Sequence, residues 1–288
     1  MEATIIIVDL NQVMLSNLMM QLGNHTNAQV EENMVRHMVL NSLRSFRSKF
    51  YEEFGELVIA CDNKNYWRRQ VFPYYKANRK KKIAESEMDW NAIFECMNKI
   101  RSELREFFPY KVINIEQCEA DDIIATLIKH AQPSEKILVL SGDKDFIQLQ
   151  VRENVKQYDP VRKKFISHPD PKKYLMEHVL KGDSSDGIPN VLSDDDTFVT
   201  PDKRQKPLTQ KKIDTFIHPM TGIEVSGDML NRNLARNKTL IDLSEIPQHI
   251  EDIILAEFES QEVRGRDKLM PYFITNKLKH LTEHLQEF

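Results

Sequence analysis

The chain has 288 residues and a net charge of −4, with 41% hydrophobic and 29% charged residues, which suits one large soluble domain or one domain with a smaller partner. No apolar run approaches the ~20 residues that cross a bilayer. The start Met1-Glu2-Ala3-Thr4 and the short run Ile5 to Val8 lack the form of a signal peptide, so no membrane partner and a cytoplasmic location are expected.

In chain order, Thr4–Asp9 (TIIIVD) is the first short β-rich run. A helical pattern covers Val30 to Phe54, with Met34, His37, Met38, Asn41, Ser42 and Phe46 predicted as its core stripe. Glu56–Asp62 (ELVIACD) predicts a second strand. A helix with Trp90, Ile93, Phe94, Met97, Ile100, Leu104 and Phe107 on one stripe leads to a third strand at Lys111–Ile115. The next helix, Glu119–Ala131, presents Ile123, Ile124, Leu127 and Ile128, and Lys136–Ser141 is the fourth strand. A hairpin is expected from Val155–Tyr158 and Lys164–Ser167. The last hundred residues show helical patterns without convincing strands, and Ser193–Lys212 reads as a loop. Cys61, Cys96 and Cys118 are odd in number and lack metal-ligand spacing, so they read as buried core residues.

Alternating strands and helices predict an α/β fold, a mostly parallel central sheet flanked by helices, with a smaller α-helical C-terminal domain. The expected division is residues 1–180, with a basic arch at about 64–88, and residues 181–288.

Carboxylates stand where these strands end. Asp9 ends the first strand and Asp62 the second. The third leads to Glu119, Asp121 and Asp122 at a helix start, and the fourth to Asp143 and Asp145. Asp183 and Asp186 follow in KGDSSDGIP. In a parallel sheet the strand ends share one rim, where open α/β folds bind ligands. One such acid is commonly a helix cap, but a crowd of them repels itself unless cations are present. Oxygen donors suit Mg²⁺ or Mn²⁺, and no Cys or His accompanies the acids in sequence, which argues against zinc. Two ions ~3.5–4 Å apart suit in-line phosphodiester cleavage.

Between Lys64 and Lys82 lie eight Lys or Arg, no acid, and the aromatics Tyr66, Trp67, Phe72, Tyr74 and Tyr75. Cations attract phosphates and aromatic faces stack on unpaired bases. A second basic set, Lys203, Arg204, Lys206, Lys211, Lys212, Arg232, Arg236, Lys238, Arg264, Arg266 and Lys268, is assigned to duplex backbone. Setting the nine clustered carboxylates against bound ions leaves the remaining charge at +5.

The order IIIVDLN, ACDN, YWRR, FPYYKANR, CEADDIIATL, LSGDKDFIQL and KGDSSDGIPNV resembles the flap endonuclease and 5′-nuclease superfamily, and within it the ribonuclease H branch of T-even bacteriophages. The resemblance implies a 5′→3′ exonuclease and flap endonuclease with ribonuclease H activity. Such an enzyme removes RNA primers and adjacent DNA during replication. It implies that Asp9, Asp62, Glu119, Asp121 and Asp143 form one metal group and Asp145, Asp183 and Asp186 a second. Asp122 stands as a neighbouring, outer acid. It implies two Mg²⁺, replaceable by Mn²⁺, and a monovalent cation in the duplex-binding element at KGDSSDGIPNV. Lys76 and Arg79 match a basic pair on a mobile arch that grips the scissile phosphate. Arg68, Arg69 and Tyr75 are expected to help hold the strand. The implied partners are RNA–DNA and DNA–DNA duplexes with 5′ ends or flaps, forked DNA and a phage single-stranded-DNA-binding protein, with the chain a monomer. Where relatives continue into a glycine-rich turn, this chain reads LSDDDTFVTPDKRQKPLTQKKID. IIIVDLN also resembles the strand-end aspartate of haloacid dehalogenase phosphatases, but Asn11 stands where they carry a second acid.

Overall fold

The computed structural model describes residues 4–22, 31–218 and 220–288, and not the side chains of residues 21, 22 and 80–82. Val30, the expected start of the long helix, and Met1, Glu2 and Ala3 lie outside the described residues, as do the side chains of Lys80, Lys81 and Lys82.

Strand β1 (Ile5–Asp9) runs into helix α1 (Leu10–Leu22), and α2 (Glu32–Phe54) leads to β2 (Glu56–Ala60). The short helices α3 (Arg68–Val71) and α4 (Ala77–Ala84) precede α5 (Trp90–Phe107), β3 (Lys111–Ile113), α6 (Ala120–His130) and β4 (Ile137–Leu140). A 3₁₀ helix, Lys144–Val151, then leads to β5 (Val155–Asp159), β6 (Lys164–Ile166) and α7 (Pro171–Lys181). The remainder holds α8 (Gln210–Phe216), a small hairpin of β7 (Ile217–His218) and β8 (Gly222–Ile223), α9 (Asp228–Ile241), α10 (Gln248–Ser260), α11 (Leu269–Thr275) and α12 (Lys279–Thr282).

The six-stranded sheet has the order β3-β2-β1-β4-β5-β6, and only β6 is antiparallel to its neighbour. The expected mostly parallel sheet is therefore present. The chain turns one way from β1 to β2 and β3, and the other way to β4 and β5. The strand order thus reverses beside β1, and a crevice opens there at the carboxyl ends. Side chains alternate between two cores. Ile6, Val8, Leu57, Ile59, Leu138 and Leu140 pack under α1, α2 and α5, while Ile7, Val58, Ala60 and Val139 pack under α6. Leu269, Phe273, Leu281 and Phe288 join the first core, and Ile246, Ile250 and Ile254 the second. The C-terminal helices thus cover both faces. No described helix is long and apolar enough to cross a membrane.

Three expectations need correction. The buried face of α2 is Val35, Val39, Leu40, Leu43, Phe50 and Phe54, one step around from the predicted stripe, and Met34 is exposed. The polarity of Arg36 and Arg47 misled. Both are buried, because Arg36 pairs with Glu32 and Glu103, and Arg47 with Glu56, at 2.6–2.7 Å. On α5 the predicted stripe is buried at Ile93, Met97, Ile100 and Leu104, but Phe94 is exposed. In the C-terminal third β7 and β8 do form a hairpin, and the loop ends at Thr209, whose side chain caps α8. All three cysteines are free and buried, as expected.

Candidate metal and phosphate site

Asp9 is the last residue of β1. Its Oδ1 accepts from the Gln12 amide at 3.2 Å and its Oδ2 from the Ser141 hydroxyl at 3.0 Å, which ties the end of β1 to that of β4. Asp62 lies two residues beyond β2. Its carboxylate accepts from the Ala120 amide at 2.7 Å and from Asn11 Nδ2 at 2.6 Å. Asn11, where a phosphatase would carry its second acid, therefore orients Asp62. Asp143 accepts from the Asp145 amide at 3.0 Å and opens the 3₁₀ helix that carries Asp145.

Glu119 and Asp122 form a reciprocal capping box at the start of α6. The Tyr75 hydroxyl lies between the carboxylates of Glu119, 2.9 Å away, and Asp186, 3.1 Å away, and shares its one proton with them. Lys76 pairs with Glu119 and lies 3.6 Å from Asp186, while Arg79 reaches Asp186 at 2.5 Å. Lys76 and Arg79 do not share a helical face. Lys76 has φ +56° and precedes α4, yet both converge on Asp186. The loop carrying Asp183 and Asp186 is closed by paired backbone bonds between Asp183 and Ile188. It is clamped to α4 by Asn78 Nδ2 on the Ser184 carbonyl at 2.8 Å.

The electrostatics show how closely the acids crowd. Burial, then Asp62, pushes Asp9 up to about 7. Burial, then Asp143, pushes Asp145 up to about 7 against the pull of His178. Burial and Asp143 likewise lift Asp121 far above its usual range, and burial lifts Asp62. Burial works against Glu119 too, but Lys76 and Arg68 more than offset it and hold that carboxyl low. Carboxyls that cannot all ionise together are what a divalent ion relieves, and oxygen donors of this number suit such an ion.

Asp122 stands behind this group. Its Oδ1 takes bonds from Trp67 Nε1 at 3.2 Å and Arg68 at 2.8 Å, and its Oδ2 accepts from the Glu119 amide at 2.9 Å. Arg68 and Tyr75, expected to hold a nucleic-acid strand, are each only 2% exposed and face inward. Trp67 and Phe72 are likewise buried and offer no stacking face. The segment's aromatic spacing served packing, because the acids behind it needed Arg68 as a buried counter-ion. Arg69 is half-buried, its guanidinium 4.8 Å from the Tyr66 ring centre.

The second basic set is also largely engaged. Lys203 pairs with Asp194 at 3.0 Å and Asp196 at 2.5 Å. Arg236 pairs with Asp195 at 2.6 Å, Arg232 pairs with the same acid, and Lys238 meets Glu245 at 2.8 Å. The acids of the irregular loop thus pin it to α9. Arg204, Lys206, Lys211 and Lys212 are exposed. A separate open cleft of about 720 Å³, bordered by Arg105, Tyr110 and Arg264, lies by the amino end of β3, at the opposite rim from the acids.

His178 was missed. It lies in the last turn of α7, its ring nitrogens 3.4 Å from Asp145 and 3.4 Å from Asp183. The argument against zinc from the absence of histidine therefore fails. The only signal was its place five residues before Asp183 in MEHVLKGD, weak without the fold.

Residues 4–179 match the family model described as the 5′-3′ exonuclease, N-terminal resolvase-like domain, and residues 170–288 match T4 RNase H, C terminal. The chain is 33% identical to the ribonuclease H of Enterobacteria phage T4, over 99% of this chain and 95% of that protein. It is 29% identical to a Buchnera aphidicola 5′-3′ exonuclease over 53% of each. Among solved structures, the T5 D15 protein co-crystallised with metal ions superposes with TM-score 0.64 at 14% identity, covering 88% of this chain and 98% of that one. The T5 D15 flap endonuclease bound to DNA and metal ions gives 0.61 at 19% identity, over 89% and 99%.

Proposed function

We propose, from the premise that the chain belongs to the 5′-3′ exonuclease family and carries a C-terminal part of the T4 RNase H type, that its acidic rim hydrolyses phosphodiesters with two Mg²⁺, Mn²⁺ serving in their place. The chain is a metal-dependent nuclease of that family. The finer reading is a 5′→3′ exonuclease and flap endonuclease that removes RNA primers and adjacent DNA from RNA–DNA and DNA–DNA duplexes during replication.

The observation that carries this reading is the convergence of Asp9, Asp62, Glu119, Asp121, Asp143, Asp145, Asp183 and Asp186 on one rim, with Asp9 lifted to about 7 by burial and Asp62, and Asp145 to about 7 by burial and Asp143. Divalent ions at such a rim supply a water of lowered pKa and neutralise charge on the phosphate. Asp9 and Asp62 are held in place by Ser141 and Asn11. Tyr75 and Arg68 orient Glu119 from behind. Lys76 and Arg79, turned to Glu119 and Asp186 here, are the cations placed to meet the scissile phosphate, and would be freed for it where Glu119 and Asp186 held divalent ions. Arg204, Lys206, Lys211 and Lys212 are the cations we assign to the duplex backbone. We divide the work at residues 180 and 181, the first part cutting and the second gripping duplex, with a monovalent cation at the Asp183–Ile188 turn. A single-stranded-DNA-binding protein is the further partner we assign, with the chain acting as a monomer.

The test is cleavage of end-labelled 5′-flap, nicked DNA and RNA-primed duplexes with and without Mg²⁺. Release of short 5′ products from flaps and primers supports the reading. Cutting that ignores the 5′ end contradicts it.

A further inference from the structure

We propose that His178 is a nitrogen ligand of the outer metal position, beside Asp145, with Asp183 facing the far side of the imidazole. This rests on the metal-dependent nuclease reading above and adds to it a ligand type that the acids alone do not supply.

The hydrogen bonds around Asp183 come first. Its Oδ1 accepts from the Ser185 amide at 2.7 Å, the Ser185 hydroxyl at 2.6 Å and the Asp186 amide at 3.3 Å. Its Oδ2 faces His178 Nε2 at 3.4 Å. Oδ1 is therefore committed to the loop, while Oδ2 faces the ring. On the other side of the imidazole, Nδ1 is buried without a hydrogen-bond partner, and Asp145 Oδ1 lies 3.4 Å away. A proton on Nε2, directed at Asp183, leaves the Nδ1 lone pair free on the side of Asp145. Metal-bound histidines generally have this arrangement, with the far N–H given to a carboxylate that fixes the tautomer.

Distances agree. Ligand atoms of Asp145, His178 and Asp183 all lie within 4.8 Å of one another. Adjacent ligands at ~2.1 Å from a dication stand about 3 Å apart, so an ion fits between Nδ1 and Asp145 with little movement. The ring is also held still. Tyr174 packs edge-on at 6.0 Å, and α7 ends just beyond, where the Gly182 amide donates to the His178 carbonyl at 2.8 Å. Gly182 has φ +68°, and a Cβ there would meet the Ile188 carbonyl oxygen at 2.4 Å, so only glycine sets this spacing of His178 and Asp183.

Imidazole suits manganese, cobalt and zinc better than magnesium, which prefers oxygen and retains its water. The outer position thus favours a softer dication than an all-carboxylate site does.

The experiment uses the full metal-free chain titrated with Mn²⁺ alone, followed by electron spin-echo envelope modulation. The expected result is ¹⁴N modulation from a bound imidazole, absent in His178→Gln. Histidine-selective ¹⁵N labelling of the unsubstituted chain must replace that pattern with the ¹⁵N one, which needs no variant to fold. Calorimetry should show the preference for Mn²⁺ over Mg²⁺ falling ~10-fold in His178→Gln. Mn²⁺ bound through oxygen alone overturns the histidine ligand and leaves the nuclease reading intact. Absence of any Mn²⁺ binding overturns both.

Discussion

Replacing Arg68 by methionine separates a buried counter-ion from a nucleic-acid contact. Arg68 Nη1 lies 3.0 Å from Glu119 and 2.8 Å from Asp122, and its Nε donates to the Leu240 carbonyl at 3.1 Å. Asp122 is fully buried, so water cannot take the place of the guanidinium. Methionine roughly fills the volume, and the cost is that of breaking a buried pair, ~3–5 kcal/mol. At ~2–4 °C per kcal/mol for a chain of this size, Tm falls by roughly 10 °C. Burial already pushes Asp122 above its usual range while Arg68 pulls it down. Without Arg68 it rises further, and stability from a raised carboxyl is lost as pH rises through its folded value. The loss in the variant is therefore larger at pH 8 than at pH 5, and adding Asp122→Asn recovers most of it. Thermal unfolding at the two pH values measures this. Duplex affinity against salt, below the unfolding range, completes the test. A buried Arg68 leaves the salt slope unchanged, whereas loss of one phosphate contact flattens it by ~0.9. A Tm change under about 2 °C together with a flatter slope refutes the reasoning.

Asp9→Asn removes a carboxyl raised to about 7 by burial and Asp62. Above that pH its charge costs the metal-free fold, so the variant should be more stable than the parent at pH 8 and equal near pH 4. Calorimetry without metal checks this, and no gain at pH 8 contradicts it. Lys76→Ala should slow single-turnover cleavage more than it weakens duplex binding, since Lys76 is buried against Glu119 and Asp186. Unchanged single-turnover rates argue against that role. Gly182→Ala places a Cβ against the Ile188 carbonyl at φ +68° and should cost ~1–3 kcal/mol while displacing Asp183. Denaturant midpoints within error of the parent's contradict it.

The first four strands were legible because they are short apolar runs buried on both faces, each leading into an acid within a few residues. The parallel order places Asp9, Asp62 and Asp143 on one rim without further information. What stayed hidden involves charges that are satisfied inside the protein. Arg36 and Arg47 were left out of the predicted α2 stripe, yet they are buried, paired with Glu103 and Glu56. Arg68 and Tyr75 read as strand contacts and are instead the inner support of Glu119 and Asp122. Lys203 and Arg236 read as duplex contacts and pin the loop at Asp194 to Asp196. Sequence gives the sign of a side chain but not its partner: Glu103 lies 67 residues from Arg36 and Glu119 51 from Arg68, and even the nearby Glu56 meets Arg47 only because the chain turns back from α2 into β2. His178 was silent for the same reason, since only the fold of α7 brings it to Asp145.

The central claim is that these carboxylates work only by holding divalent ions. The most direct measurement is the cleavage rate of a 5′-flap duplex as Mg²⁺ is titrated into chelator-treated protein, for the parent and for Asp145→Asn. The account predicts no cleavage without metal, a rise of about second order in Mg²⁺ for the parent, and no cleavage by Asp145→Asn despite near-normal duplex binding. Cleavage that persists in chelator, or an Asp145→Asn variant that turns over normally, would contradict it.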